Sequence, residues 1–226
     1  MPKIKLVVFD MDNVLFDVGY QESHENVSSS SWEHVWNALG SQADNLRLKK
    51  KWSSGGYSNY TEWQSEALKT FKSKNLTKDL FFSVIEEIPL MKGAKETVEE
   101  LRGMGIKTAI ISGSFFDLAL RARRDIGIDF PIATASLIFN GEKMVGWSVL
   151  PFDYEGKMHI FDALVRSLGI KPEECAFVCD GVNDIELAKT VGLSIAFCAD
   201  EKLRNCCMIS VDKRDLREII RHIKDF

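Results

Sequence analysis

No stretch of this chain approaches the roughly 20 consecutive apolar residues that a membrane-spanning helix needs. No secretory pattern opens it either; the first residues lead straight into an apolar run that ends at Phe9. Positive charge is not in excess. The 29 Lys and Arg stand against 33 Asp and Glu, a net charge of −4, which excludes the basic footprint of a nucleic-acid binder. The five cysteines (Cys175, Cys179, Cys198, Cys206 and Cys207) fall in the last quarter, and none has the C-x2-C spacing of a zinc site. Cys175, Cys179 and Cys198 lie in apolar runs and are expected as buried, reduced thiols. There is no internal repeat and no low-complexity tract. What remains is 226 residues, 45% hydrophobic and 27% charged: one large globular domain, or a core with a modest insertion. A cytoplasmic protein acting on a small molecule is expected, with neither nucleic acid nor membrane as partner.

The texture changes along the chain. Residues 17–88 hold four of the five tryptophans, Trp32, Trp36, Trp52 and Trp63. Their apolar spacing is helical: Trp32, Val35, Trp36 and Leu39 before Gly40; then Trp63, Ala67, Leu68 and Phe71; then Leu80, Phe81, Val84, Ile85 and Ile88. Ser53-Ser54-Gly55-Gly56 separates two of these helices. The basic run Arg47, Lys49, Lys50 and Lys51 reads as a solvated helix face. From Pro89 onward helix and strand alternate, the signature of a parallel sheet. Helices are predicted over 94–104, from Gly156-Lys157 to 168, over 185–190 and over 216–223; strands are predicted over 107–111, 175–179, 193–198 and 208–211. Asn140-Gly141 between two apolar runs predicts a hairpin. The fold expected is α/β, a Rossmann-like doubly wound parallel sheet. A small helical insertion (17–88) follows its first strand, and 1–16 with 89–226 forms the core.

Polar groups cluster at the predicted strand ends. The run ending at Phe9 gives way to Asp10 and Asp12, and open α/β sheets bind ligands at such C-terminal edges. In an extended chain both carboxylates point the same way and repel unless a cation or a proton lies between them. Ser112-Gly113 follows the second strand, and a following helix start could hold phosphate, although alone this reads as a turn and N-cap. The run Asp180-Gly181-Val182-Asn183-Asp184 places two carboxylates, an amide and a glycine after a further strand. Gly181 is expected to allow a sharp turn there. Asp10 and Asp180 suit a hard cation such as Mg2+, and Lys157 would be the cationic partner of phosphate and carboxylate.

In order and spacing, D-M-D-N-V, I-I-S-G-S, a downstream lysine and D-G-V-N-D resemble the motifs of the haloacid dehalogenase superfamily, and most closely its phosphoserine phosphatase-like branch. Ser112-Gly113-Ser114-Phe115 and the tail from Ile195 to Ile219 carry the closer likeness. The resemblance covers the core and is weak over residues 17–88, which would correspond to the family's cap. It implies a Mg2+-dependent phosphomonoester hydrolase working through an aspartyl-phosphate. Asp10 would be the nucleophile and Asp12 the acid and then the base. Asp10, Asp180 and the Asp12 backbone carbonyl would hold Mg2+, supported by Asp184. Ser112, Gly113, Lys157 and Asn183 would hold the phosphate. The carboxylate at Asp12 speaks against a dehalogenase, whose leaving group needs no acid. A phosphotransferase or mutase on the same core, or a non-catalytic phosphate-binding protein, remains the alternative. A nucleotide-sugar transferase reading of D-x-D would leave Lys157 and the D-G-V-N-D run idle.

The chain departs from that branch at three places. Cys179 replaces a glycine before the aspartate, and Ser114 replaces the second glycine of S-G-G-F. In the cap, Ser30 and Ala67 fall near the positions where the branch carries a glutamate for the substrate's amino group and an arginine for its carboxylate. Phosphoserine is therefore not expected as the preferred substrate.

Overall fold

The computed structural model describes residues 4–19, 30–151 and 155–226. The long segment before Trp32 falls mostly outside them. In chain order the elements are β1 (Leu6–Phe9), α1 (Ser31–Ala38), α2 (Gln42–Ser53), α3 (Tyr60–Ser73), α4 (Lys78–Glu87), α5 (Ala94–Gly103), β2 (Lys107–Phe115), α6 (Phe116–Ile126), β3 (Phe130–Asn140), β4 (Lys143–Val149), α7 (Glu155–Leu168), β5 (Cys175–Cys179), α8 (Ile185–Ala188), β6 (Leu193–Phe197), α9 (Glu201–Arg204), β7 (Ile209–Val211) and α10 (Ile219–Asp225).

The strands form one seven-stranded sheet in the order β4-β3-β2-β1-β5-β6-β7, parallel except for β4. All four residues of β1 are buried. Its side chains alternate between the two faces: Val7 and Phe9 join one apolar layer, Leu6 and Val8 the other. Such two-sided burial is what an uninterrupted apolar run buys in a parallel sheet. The chain proceeds outward from β1 in both directions, to β2 and β3 on one side and to β5, β6 and β7 on the other. The switch in direction leaves a crevice beyond the C-terminal ends of β1 and β5. Asp10 and Asp180 are the first residues past those ends.

Helices α1 and α3 pack aromatic on aromatic: Trp36 lies 4.3 Å from Phe71 and Trp32 lies 5.3 Å from Trp63, centroid to centroid. Trp32 also reaches Phe115 of β2 at 4.4 Å, joining this layer to the sheet. The two connections of the insertion pair with each other, Asp17 N–H on Pro89 O and Met91 N–H on Leu15 O, both at 2.8 Å. A second fastening lies at the β3–β4 hairpin. Glu142 accepts the N–H of Lys78 through its carbonyl (3.0 Å) and that of Asp79 through its carboxylate (2.9 Å), and Lys72 reaches Val145 O at 2.7 Å.

Several local expectations change. β2 runs to Phe115, so Ser112-Gly113-Ser114 is the end of a strand, and α6 starts only at Phe116. Pairing of Ser112 with Ala133 and of Phe115 with Ala135 across a register shift keeps this stretch extended. β3 begins at Phe130, seven residues before the apolar run that marks it in the sequence, because Pro131 and the small residues that follow carry little apolar signal. The expected 185–190 helix is one turn, preceded by a 3-10 turn. The expected 216–223 helix likewise opens as a 3-10 turn. Cys175 and Cys179 are buried, but Cys198 is only half-buried, and its φ of 48° lies in the left-handed region as it leaves β6. The basic face of α2 is ion-paired as well as solvated: Arg47 and Lys51 both hold Glu66, at 2.9 and 2.7 Å, and Lys49 pairs with Glu33.

Candidate active site

Strand register assembles the site. Phe9 pairs with Ile110 on one side and Val178 on the other, so the segments following β1 and β5 and the last residues of β2 meet at one level. Asp10 donates its N–H to Val178 O at 2.9 Å, and its carboxylate accepts the N–H of Met11 at 2.8 Å. Asn13 then turns the chain with φ 59°, a left-handed conformation that asparagine tolerates.

Lys157, on the first turn of α7, is 1% exposed and lies among carboxylates. Its Nζ sits 2.7 Å from Asp184 Oδ1 and 3.5 Å from Asp10 Oδ1. Asp184 itself is wholly buried. One oxygen from each of Asp10, Asp180 and Asp184 falls within a 4.8 Å cluster. Burial, then the nearby Asp10, pushes the Asp180 carboxyl up to about 8, against the pull of Asn13 and Lys157. Burial raises Asp184 well above the ordinary carboxylate range, opposed chiefly by Lys157. One lysine does not neutralise three clustered carboxylates, and Asp184 Oδ2 finds no hydrogen-bond partner among the described residues. An all-oxygen donor set with charge left over fits Mg2+.

Asp12 stands apart from this cluster, half-buried under the insertion. Its Oδ2 accepts both the N–H and the hydroxyl of Ser31, each at 2.8 Å. Burial is the largest influence on its carboxyl and raises it to about 7, despite the Ser31 hydrogen bonds. Ser31 Oγ also meets Ser114 Oγ in a very short contact. Gln64 of α3 is buried and donates to Gly113 O at 2.7 Å and to Thr134 Oγ1 at 2.8 Å, placing the insertion directly on the Ser112-Gly113 strand end.

Ser112 is buried at the end of β2, with half-buried Gly113 beside it, while Asn183 lies half-buried in the turn after β5. Gly181 has an extended backbone rather than the sharp turn expected of it; a Cβ there would come within 2.5 Å of Asn183 Oδ1. A side chain at this position would displace the Asn183 amide. Ser31, Gln64, Asn13 and Arg214 are site neighbours that the sequence did not single out. Arg214 reaches Asn13 Oδ1 at 3.3 Å and Asp17 at 2.5 Å. Asn13 lies inside the D-M-D-N-V motif and Arg214 inside the family-like tail, so position carried a signal for these two; Ser31 and Gln64 had none.

A doubly wound sheet with acidic residues at its switch point, a buried lysine and a helical insertion over them defines a phosphoryl-transfer hydrolase. The chain belongs to the haloacid dehalogenase-like hydrolases, whose family model matches residues 4–192. Within that family it falls on the phosphoserine phosphatase-like branch. It is 31% identical to the phosphoserine phosphatase of Wolinella succinogenes over 97% of this chain and 100% of that one. It is 29% identical to the phosphoserine phosphatase of Methanocaldococcus jannaschii over 98% and 99%. A phosphoserine phosphatase solved as a phospho-aspartyl intermediate analogue superposes with a TM-score of 0.80 at 27% identity, covering 98% of this chain and 99% of that chain. The chain is a Mg2+-dependent phosphatase. Among the described residues no helix is long and apolar enough to cross a membrane.

Proposed function

We propose that residues 1–16 and 89–226 form the catalytic core, that 17–88 form its cap, and that the pair hydrolyses a small phosphomonoester without preference for phosphoserine. The observation that carries the reading is the separation of roles between two neighbouring carboxylates. Asp10 lies against Lys157 with the Asp180 and Asp184 carboxylates, whereas Asp12 is tuned to about 7 and held from the cap. Asp10 attacks phosphorus and forms the acyl phosphate while Asp12 protonates the departing oxygen. Asp12 then takes a proton from the attacking water, and Asp10 leaves as carboxylate. Ser112, the Gly113 N–H, Lys157 and Asn183 hold the phosphate oxygens. Asp10, Asp180 and the Asp12 carbonyl would hold Mg2+, with Asp184 steadying Lys157 and the metal side. Mg2+ supplies charge compensation for the transferring phosphoryl group.

The substrate reading rests on the cap. Ala67 is fully buried in the tryptophan layer, and Ser30 is the N-cap residue of α1. Arg47 is the single arginine of residues 17–88, and it is committed to Glu66 on an exposed face. An amino-acid carboxylate would find no arginine there. The five free cysteines suit a reducing, cytoplasmic setting. The test is a Mg2+-dependent phosphatase screen over phosphorylated amino acids, sugars, nucleotides and an aryl phosphate. Turnover of several monoesters without preference for phosphoserine is expected. Phosphoserine turnover far above every other substrate would overturn the substrate reading, and inactivity across the panel would overturn the phosphatase.

A further inference from the structure

The two oxygens of Asp12 have opposite surroundings. Oδ2 accepts two donors from the same residue, the N–H and hydroxyl of Ser31. Oδ1 is buried and has no hydrogen-bond partner among the described residues. In a protonated carboxyl group the carbonyl-type oxygen is the strong acceptor, and the other oxygen carries the proton. Two donors on Oδ2 therefore make it the acceptor and leave the proton to Oδ1. Ser31 is fully buried, and so rigidly placed. Because its hydroxyl hydrogen is spent on Asp12, the short contact with Ser114 runs the other way: the Ser114 hydroxyl donates to Ser31 Oγ. A donor chain runs from Ser114 on β2 through Ser31 on α1 to Asp12, and each link polarises the next.

We propose that Ser31 is a positioning residue for the general acid: it fixes the rotation of the Asp12 carboxyl, so that Oδ1–H is the group presented to the leaving oxygen. The inference rests on the acid/base reading of Asp12. In the first step the Asp10 oxygen bonds to phosphorus as the P–O bond to the leaving group breaks. The leaving oxygen keeps that electron pair and takes the Oδ1 proton, and Asp12 becomes a carboxylate still held at Oδ2. In the second step water bonds to phosphorus, its proton returns to Oδ1, and the acyl-phosphate P–O electrons go back to Asp10. Ser31 does not touch the substrate, and no phosphoryl group passes through it.

A positioning role differs from a packing role in how its loss depends on the leaving group. Good leaving groups depart without an acid; poor ones do not. The experiment measures kcat/KM, which reports aspartyl-phosphate formation, for a series of substituted phenyl phosphates and an alkyl phosphate with Mg2+ present. Wild type, Ser31→Ala, Ser31→Thr and Asp12→Asn are compared. Ser31→Ala should lower kcat/KM about 10- to 30-fold for the poorest leaving groups and less than about 3-fold for 4-nitrophenyl phosphate, a steeper dependence on leaving-group basicity. Ser31→Thr, which keeps the hydroxyl, should return the shallow wild-type dependence. Asp12→Asn should be steepest. A parallel drop across the series in Ser31→Ala, with a steepened Asp12→Asn, would overturn the proposal and leave the acid role standing. An unsteepened Asp12→Asn would remove the acid role and the proposal with it. If Ser31→Ala does not fold, Ser31→Cys keeps the shape with a weak donor and is read by the same two outcomes.

Discussion

The strand ends of the sheet and the helical insertion above them handle charge in opposite ways. At the strand ends the carboxylates of Asp10, Asp180 and Asp184 cluster beside Lys157, which pairs with the two buried ones, Asp10 and Asp184. Asp180 and Asp184 hold their protons abnormally tightly, and Asp184 Oδ2 has no hydrogen-bond partner among the described residues. In the insertion the charges sit outside and neutralise one another: Glu66 with Arg47 and Lys51, Glu33 with Lys49, Asp44 with Lys74. Its interior is mostly apolar, with tryptophan and phenylalanine at its centre. A region that satisfies its own charges has no electrostatic pull left for a ligand. A region that leaves like charges packed together is unfinished until a cation arrives, and this marks it as the reacting centre.

That contrast can be broken in graded steps. Asp10→Asn should cost on the order of 10⁴- to 10⁶-fold in phosphatase kcat while raising the melting temperature, because it removes both the proposed nucleophile and one repelling charge. Steady-state rates and a thermal melt of the same preparation check both halves; lost activity with lost stability would mean the cluster is not strained. Lys157→Met should destabilise the metal-free protein by about 3–5 kcal/mol in urea unfolding, since it leaves Asp184 buried without its cation. A cost below about 1 kcal/mol would say that Lys157 is not what holds those carboxylates. Mg2+ should stabilise the protein by about 2–3 kcal/mol at 100 times its dissociation constant, and by less in acid. The sign follows from Asp180. Its folded pKa of about 8 lies above the ordinary 3.8, so the metal-free fold binds the extra proton and loses stability as pH rises between those values. Mg2+ competes with that proton, so the shift in melting temperature on adding Mg2+ should grow from pH 5 to pH 8. A shift independent of pH would place the ion elsewhere. In the insertion the effect should be small: Glu66→Gln should cost about 1 kcal/mol at neutral pH. The Lys51 and Arg47 contacts hold Glu66 at about 2, below its usual 4.5, so its contribution is present above 4.5 and fades as pH falls toward 2. Urea melts at pH 7 and pH 3 should show the penalty shrinking.

What was readable in the sequence follows the same division. β1 and β5 are uninterrupted apolar runs ending in aspartate, and a parallel sheet forces such runs inward and their ends into one crevice. The Asn140-Gly141 hairpin was equally plain, since few residues fit its turn. β3 was missed over most of its length because Pro131 and Ala133-Thr134-Ala135 show no run, and its partners supply the pairing. Ser112-Gly113-Ser114 looked like a turn because small polar residues usually are one; only the ladder to β3 holds it straight. Ser31 and Gln64 were invisible for a different reason. Each belongs to a helix whose local pattern is complete without it, and each acquires meaning only when the insertion docks on the sheet.

The fastening of the β3–β4 hairpin to the insertion has a bearing on inheritance. Substrate range in such a protein would change most simply by exchanging the helices above a constant catalytic sheet. Here that exchange is not free. Lys78 and Asp79, at the start of α4, draw their acceptors from Glu142, and Lys72 draws one from Val145, so crossover points at residues 17 and 88 alone would strand these groups. The portable unit is the helices plus the hairpin tip, two segments far apart in the chain. A lineage that acquires new specificity by recombination must therefore move both, whereas one that evolves by point substitution can leave the hairpin untouched.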